Sequence, residues 1–236
     1  MGRAFERRKA SKMKRWSGMA KTFTRIGKDI VMAVKDGGVD PDNNAKLRAV
    51  IQNARAANMP LVNVERAIKK ASDKDTADYK QVLFEGYGPH GVAFLVETAT
   101  DNNNRTVADV RSAFTKGGGN MGTSGSVVFM FDHVCNFKVK NEQEIDLEEF
   151  ELELIDFEVE EIFQEDDTLM IYAPFEQFGS IQNYFEKNSF EIISSGFERI
   201  PTTTTDLSGE QKEEVEKLIE RLEDVEDVQE IYHSMI

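Results

Sequence analysis

The sequence has very little of what disulfide-bonded, metal-binding or membrane-spanning proteins require. One cysteine, Cys135, occurs in 236 residues, so no disulfide can form within the chain, and we expect a cytoplasmic location. No apolar run approaches the roughly 20 residues that a transmembrane helix needs, and no apolar signal segment is found near the start. The three histidines lie far apart and share no metal-ligand spacing with that cysteine. We therefore expect no metal site and no membrane partner.

Charges of the two signs are unevenly distributed along the chain, whose formal net charge is −14. Residues 1–71 contain 17 Lys and Arg against 6 Asp and Glu, a net charge of +11. Residues 72–236 contain 12 against 37, a net charge of −25. This pattern is typical of a module that faces a polyanion and is attached to an acidic body.

Three short helices are predicted in the basic segment. Apolar residues recur at helical spacing from Thr22 to the two glycines at 37–38, where the first helix is expected to end. A second helix is predicted over residues 45–57, after a turn formed by DPDNN that also supplies its cap, and a third over residues 64–71. Together they predict a small basic helical bundle.

After a polar linker at 72–78, the hydrophobic period changes from that of helices to that of strands. The segments QVLFEGY, GVAFLVETAT, TVADVRSAFTK and SVVFMF predict the order β-β-α-β over residues 81–131. The following residues predict the order β-α-β-β-α-β, the ferredoxin-like split pattern, with an acidic run at 142–167 that holds 14 Asp and Glu. Residues 207–236 predict one helix and one strand, which cannot be stable alone and must complete another sheet.

These elements predict an α+β protein of three domains. We assign the final helix and strand to the middle domain, because that domain otherwise lacks a second helix and a fourth strand. The ferredoxin-like unit is then an insertion between the two halves of the middle domain. The expected boundaries are 1–75 for the basic three-helix domain, 76–133 with 203–236 for the discontinuous α/β middle domain, and 134–202 for the inserted acidic domain.

Residues 117–122, GGGNMG, match the spacing G-x-G-x-x-G of dinucleotide-binding loops. In those loops a strand precedes the glycines and a helix follows, so that the helix N-terminus meets the pyrophosphate. Here the predicted order is reversed. A helix C-cap followed by a wide turn explains the residues better, with positive φ expected at Gly119 or Gly122. We therefore expect no cofactor and no catalytic residue.

The stretch DNNNRT lies between a predicted strand and a predicted helix. Asn and Asp are favoured at helix N-caps, so Asn104 is expected to cap the helix. The less favoured alternative is that Arg105 faces a partner.

Several longer stretches resemble one protein family. They are GGVDPDNNAKLR, AANMPLVNVERAIKKA, FEGYGPHGVAFLVETATDNNNRT, KGGGNMGTSGSVVFMF and IYHS. From about Arg8 onward the chain resembles the YebC-like family of transcriptional regulators, and it is similar to the mitochondrial translational activator of cytochrome oxidase. The resemblance implies a discontinuous middle domain and nucleic-acid binding, by a DNA-binding regulator or a ribosome-associated translation factor. Many members begin with a segment like Gly-His-Ser-Lys-Trp, whereas this chain keeps Trp16 without that histidine.

Basic residues of the first domain form the candidate nucleic-acid site. Six of them surround the single tryptophan, and cations beside an aromatic ring suit phosphate contacts and base stacking. The alternative is a solvated tail with the tryptophan docked on the bundle. Three more lie on the first helix, and three at the end of the third helix either extend this surface or only solvate the helix end. The candidates are Arg7, Arg8, Lys9, Lys12, Lys14, Arg15, Trp16, Lys21, Arg25, Lys28, Arg66, Lys69 and Lys70.

These residues favour a non-enzymatic regulator of gene expression that binds nucleic acid, in the first instance a DNA-binding transcriptional regulator. The alternative is a translation factor that binds ribosomal RNA on the ribosome, and the sequence does not separate duplex DNA from ribosomal RNA as the partner. An enzyme that uses the glycine turn for a cofactor is disfavoured by the order of the elements. An adaptor that acts through the acidic domain leaves the basic residues unexplained.

Overall fold

The structure, a computed structural model, describes residues 19–73, 76, 78–141 and 145–236. It is an α+β protein with two antiparallel sheets of four strands in the described part of the chain. Backbone contacts divide it into two units. One unit consists of the described residues up to Thr76 together with His133–Glu198. The other consists of the described residues between 77 and 132 together with Arg199–Ile236.

The described residues form three helices followed by a mixed series of strands and helices. They are α1 (Met19–Gly37), α2 (Ala45–Ala56), α3 (Leu61–Ala71), β1 (Lys80–Tyr87), β2 (Ala93–Thr100), α4 (Asn103–Lys116), β3 (Asn120–Met121), β4 (Phe131–Lys140), α5 (Leu147–Glu153), β5 (Glu161–Glu165), β6 (Thr168–Pro174), α6 (Phe178–Lys187), β7 (Ile192–Pro201), α7 (Gly209–Glu223) and β8 (Val228–His233).

Helices α1, α2 and α3 form the first domain. Helix α1 packs against both of the others, and its apolar face, which includes Ile30, is buried. Asn44 fixes the turn between α1 and α2 with its side chain. Its Oδ1 accepts the N–H of Leu47 at 3.0 Å as an N-cap, and its Nδ2 donates to the carbonyls of Ala33 and Gly38 at 2.7 and 2.8 Å. The DPDNN segment therefore supplies the turn and the cap that its sequence predicts.

The sheet of the middle domain has the strand order β3-β1-β2-β8. Strand β8 comes from the C-terminal end of the chain and pairs antiparallel with β2, with Phe94 opposite His233. Helices α4 and α7 cover one face of this sheet, where Phe94, Phe114 and Leu218 are fully buried in one core. The other face is covered by the segment after β3, which contributes Phe131 to a second core. The last helix and strand therefore complete this sheet.

The inserted domain has the order β-α-β-β-α-β and the sheet order β5-β6-β4-β7, which is the ferredoxin-like topology. Its core includes Phe137 of β4, Phe150 of α5, Ile171 of β6 and Phe185 of α6, all buried. Phe185 stacks edge-on against Phe137, with ring centroids 5.5 Å apart. Although the segment is rich in acidic residues, its apolar positions follow the helix and strand periods closely enough to build this core.

The inserted domain contacts the first domain within their shared unit. Arg48 of α2 forms a two-pronged ion pair with Glu186 of α6, with N–O distances of 3.0 and 2.9 Å. The amide of Asn53 pairs with the backbone of Ser195 in β7, donating to its carbonyl at 2.6 Å and accepting its N–H at 2.9 Å. Two side chains of α2 therefore connect the first domain to the inserted domain, and each of them forms two hydrogen bonds.

The segment SVVFMF differs from its prediction as a strand of the middle domain. Val128–Met130 form a 3-10 turn, β4 of the inserted domain begins at Phe131, and the strand that joins the middle sheet is the short β3 inside the glycine-rich stretch. The physical reason is Glu85, whose buried carboxylate accepts the backbone N–H groups of Gly125, Val127 and Val128 at 2.6, 2.6 and 2.8 Å. Those N–H groups are held by a side chain and cannot serve a strand ladder.

The helix after DNNNRT is capped by Asn102 and not by Asn104. The Oδ1 of Asn102 accepts the N–H of Arg105 at 3.2 Å. Arg105 pairs with Asp101 at 2.9 Å and with the buried Asp227 at 2.7 Å, so its guanidinium holds α4 to the turn before β8.

Candidate nucleic-acid interface

Seven of the candidate residues lie outside the residues that the structure describes. They are Arg7, Arg8, Lys9, Lys12, Lys14, Arg15 and Trp16. Their assignment to a nucleic-acid site remains a prediction from the sequence.

Helix α1 presents fewer exposed cations than its sequence predicts. Lys21 is exposed and Arg25 is half-buried, but Lys28 is only 7% exposed. Val31, one turn further along the same side, is buried as well. The buried arc of α1 is therefore wider than its apolar stripe. Lys28 is buried and is not one of the exposed cations of this helix, whereas its assignment to a nucleic-acid site stays a prediction.

Helix α3 presents all three of its predicted cations to solvent. Arg66, Lys69 and Lys70 are exposed, and Arg66 makes a long side-chain contact, 3.4 Å, to the Oδ1 of Asn63. Within the described residues neither lysine forms an ion pair. Lysines in the last turn of a helix also favour the negative end of the helix dipole, so their exposure alone does not distinguish the two interpretations of this end of α3.

The first turn of α3 exposes apolar side chains. Leu61 is 59% and Val62 is 61% exposed, although both are large and apolar. Both residues precede the helix predicted over residues 64–71, because α3 begins three residues earlier than its sequence predicts, at Leu61. Helix α3 thus has an apolar exposed start and a cationic exposed end, and it packs on α1.

The glycine turn has the geometry of a helix end. The N–H of Gly117 donates to the carbonyl of Ala113 at 2.9 Å, that of Gly118 to Thr115 at 3.3 Å, and that of Gly119 to Phe114 at 2.8 Å. In a phosphate-binding loop these N–H groups point at the ligand, whereas here they point into the helix. The turn is therefore a C-cap, as the order of the elements predicts.

The expected position of positive φ in this turn is wrong. Positive φ occurs at Gly118 and Gly125, not at Gly119 or Gly122. Close approach explains the other two glycines. A Cβ at Gly119 would lie 2.6 Å from the carbonyl oxygen of Tyr87, and one at Gly122 would lie 2.5 Å from the Oγ of Ser126.

Other site chemistries find little support in the described residues. No group of three or more His, Cys, Asp or Glu side chains within them is arranged to hold a metal ion. Burial raises the pKa of Cys135 to about 12, so its thiol stays protonated at neutral pH. In the same part of the chain, no helix has the length and apolar character that crossing a membrane requires.

Comparisons with known proteins agree over the whole chain. The family model for the TACO1/YebC second and third domain matches residues 79–235, and that for the TACO1/YebC protein N-terminal domain matches residues 3–74. A "Probable transcriptional regulatory protein" of Flavobacterium johnsoniae is 65% identical over 235 residues, covering 100% of this chain and 99% of the relative. One of the same name from Porphyromonas gingivalis is 53% identical, covering 100% and 97%.

A solved structure shows the same fold. The crystal structure of a conserved hypothetical protein from Aquifex aeolicus matches with a TM-score of 0.76 and 33% identity, covering 95% of this chain and 93% of that one. The two family models together, the curated relatives and the Aquifex aeolicus structure each match nearly the full length of this chain. The chain therefore belongs to the TACO1/YebC family.

Proposed function

We propose that this protein is a non-enzymatic, nucleic-acid-binding regulator of gene expression that acts as a DNA-binding transcriptional regulator. A role in regulation is supported by its relatives, each of which carries the name "Probable transcriptional regulatory protein". Nucleic-acid binding is supported by the exposed cations Lys21, Arg66, Lys69 and Lys70 in a segment of net charge +11.

The division of charge explains how such a protein approaches a polyphosphate. Each Lys or Arg that neutralises a phosphate releases a condensed counterion, which favours binding whatever the base sequence. Residues 72–236, with a net charge of −25, are repelled by the same polymer. Contact through the first domain is therefore the favourable arrangement.

The alternative function, a translation factor bound to ribosomal RNA, is favoured by one feature of α3. This helix has 11 residues and exposes Leu61 and Val62 on its first turn, where a recognition helix would present hydrogen-bonding side chains to base edges. Its cations suit phosphate contacts, which position a protein without reading sequence. A structured RNA with exposed bases tolerates such a surface better than sequence-specific duplex DNA does.

Crosslinking in cells, followed by sequencing of the bound nucleic acid, separates the two functions. For the transcriptional role we expect recovery of promoter DNA above a matched untagged control. Recovery of large-subunit ribosomal RNA instead would replace that role with the translational one. Recovery of neither would contradict both.

Salt dependence tests the contact itself with the purified full-length protein. If about six phosphates of a short DNA duplex are contacted, log K is expected to fall with log salt concentration with a slope of about −5. A fragment of residues 72–236 is expected to bind far more weakly. Equal affinity of that fragment would contradict the assignment of the site to the first domain.

A further inference from the structure

The end of α4 and one face of α7 enclose an open pocket in the middle domain. Gly117 is the reason that the two helices approach so closely here, because a Cβ at this position would lie 2.6 Å from Cδ1 of Leu218 on α7. The close approach places Lys116 at the end of α4 beside Lys217 and Arg221 on α7, and all three line the pocket. Positions 217 and 221 are one helical turn apart, so their side chains share one face.

The three cations are exposed, and none has an acidic partner within the described part of the chain. Among the described residues none of them forms an ion pair or a side-chain hydrogen bond. Glu214 is the acidic residue of the pocket lining, and its carboxylate lies 2.8 Å from the Nε2 of His90. The pocket is therefore lined by three cations and one carboxylate that already has a neighbour.

This local charge is opposite to that of its surroundings. Residues 77–132 and 199–236 contain 8 Lys and Arg against 17 Asp and Glu, a net charge of −9. Three of those eight cations line this one pocket. In so acidic a unit, three unpaired cations side by side repel one another and are expected at a site that receives an anion.

The shape of the pocket restricts which anion it can take. Its volume is about 270 Å³ and it is open, whereas pockets that enclose whole cofactors measure about 300–1,000 Å³. The glycine N–H groups are already donated to carbonyls of α4, so they do not cradle a pyrophosphate. What remains are side-chain donors, a guanidinium fork and two ammonium groups, which fit one phosphate group held at the surface.

We propose that Lys116, Lys217 and Arg221 form a phosphate-binding site that takes a backbone phosphate of a nucleic acid. The site is additional to the cations of the first domain, and its assignment to nucleic acid rests on the proposed function. It also gives the glycine turn a role that needs no cofactor. The turn lets α7 approach, and α7 supplies two of the three cations.

The test compares two variants of the full-length protein that lose the same charge. The pocket variant is Lys116→Gln with Arg221→Gln. The control is Arg111→Gln with Lys212→Gln, which also removes one Arg and one Lys, one from α4 and one from α7, outside the pocket lining. Binding of a fluorescent 20-base-pair DNA duplex is measured by anisotropy across a KCl series. Circular dichroism melting confirms that both variants fold as the wild type does.

We expect the pocket variant to bind the duplex several-fold more weakly and its salt slope to lose about 0.9 in magnitude, because the contact to one phosphate is removed. The control is expected to lose much less. Equal slopes and affinities for the two variants would overturn the proposal while leaving the proposed function intact.

A titration followed by amide NMR distinguishes a nucleic-acid phosphate from a small one. The Gly117 and Gly118 resonances of the wild type are expected to shift with the duplex, and those of the pocket variant to stay in place. A shift with inorganic phosphate and none with the duplex would overturn the assignment to a nucleic-acid backbone. If the wild type bound no duplex at all, the proposed function would fail, and the phosphate site would stand only if inorganic phosphate still shifted both glycines.

Discussion

At the scale of single residues, Glu85 holds the loop that follows the glycine turn. Glu85 is 4% exposed, and its carboxylate accepts three backbone N–H groups from residues 125–128. Replacing Glu85 with Gln removes the charge and turns an NH2 group toward donors. We expect a loss of about 2–3 kcal/mol in the free energy of unfolding, measured by urea denaturation, because hydrogen bonds to a charged group are the strong ones. Glu213→Gln, at an exposed position, is expected to change it by less than about 0.5 kcal/mol.

The same carboxylate predicts a pH dependence. Burial raises the pKa of Glu85, but the three N–H groups and the nearby Arg199 outweigh burial, so the pKa lies below its ordinary value. The unfolded chain therefore binds this proton more readily than the folded chain does. The stabilisation is complete above the unfolded pKa, about 4.3, and is lost as the pH falls through the folded pKa. The difference in free energy of unfolding between the wild type and Glu85→Gln is expected to shrink in acid; a constant difference would contradict this.

Close approach at Gly119 gives a second residue-scale prediction. Gly119→Ala is expected to destabilise the protein by about 1–3 kcal/mol, because the new methyl group meets the backbone of Tyr87, which cannot rotate away. Gly122→Ala is expected to cost less, because it meets a serine hydroxyl that can change rotamer. The control is Gly179→Ala on α6, where no atom lies within 4 Å and alanine favours the helix. A lower melting temperature for the control than for Gly119→Ala would show that this explanation is wrong.

Contacts between distant residues explain why parts of the middle domain could not be predicted. The role of Glu85 depends on residues about 40 positions later, and that of Arg105 on Asp227, which is 122 positions away. No pattern in the neighbouring sequence predicts either contact. Asn44 is different, because a cap acts within its own turn, and its role follows from the sequence alone.

At the scale of elements, the exposed end of α3 is the described part of the candidate interface that is easiest to test. The variant Lys69→Gln with Lys70→Gln is expected to bind duplex DNA more weakly and to lose about 1.8 from the magnitude of its salt slope. The control, Lys80→Gln with Lys187→Gln, removes the same charge from β1 and α6. If both variants lost the same affinity, the lysines of α3 would act through net charge only, and the alternative that they solvate the helix end would be favoured.

Helices and strands are predictable where the apolar residues follow a single period, that of a helix or that of a strand. Amphipathic helices such as α4 and α7, and strands such as β6 with a run of mostly apolar residues, follow the sequence closely. SVVFMF is equally apolar but forms a turn followed by the start of β4, because a buried carboxylate binds its backbone. A hydrophobic run predicts burial reliably, but its conformation depends on what satisfies its N–H groups.

At the scale of the whole molecule, the discontinuous middle domain follows from a stability argument. One helix and one strand cannot fold alone, so they must join an incomplete sheet, and β8 pairs with β2. The sequence contains no comparable indication that the first domain and the inserted domain form one unit. It depends on pairs such as Arg48 with Glu186, which are 138 residues apart and resemble ordinary surface charges in the sequence.

Two deletions test whether the middle domain is divided at the proposed boundaries. The backbone N–H of Thr202 donates to the carbonyl of Met130 at 2.9 Å, so the two chain segments that lead into the insertion lie side by side. Removing residues 134–202 and joining the ends with a short glycine linker is therefore expected to leave the middle sheet folded. The first domain loses its contacts to Glu186 and Ser195 in this variant, so any destabilisation is expected there.

Removing residues 207–236 is expected to unfold the middle domain. The deletion takes away β8 and the buried Val215, Leu218 and Leu222 of α7, which pack in one core with Phe94 and Phe114. Each large apolar side chain contributes about 1.5–3 kcal/mol when buried, and a typical domain has a net stability of only about 5–15 kcal/mol. Hydrogen exchange at the amides of β1 and β2 measures the outcome directly: fast exchange in the truncated protein and slow exchange in the variant without the insertion. The reverse result would show that the sheet depends on the inserted domain and not on the C-terminal helix and strand.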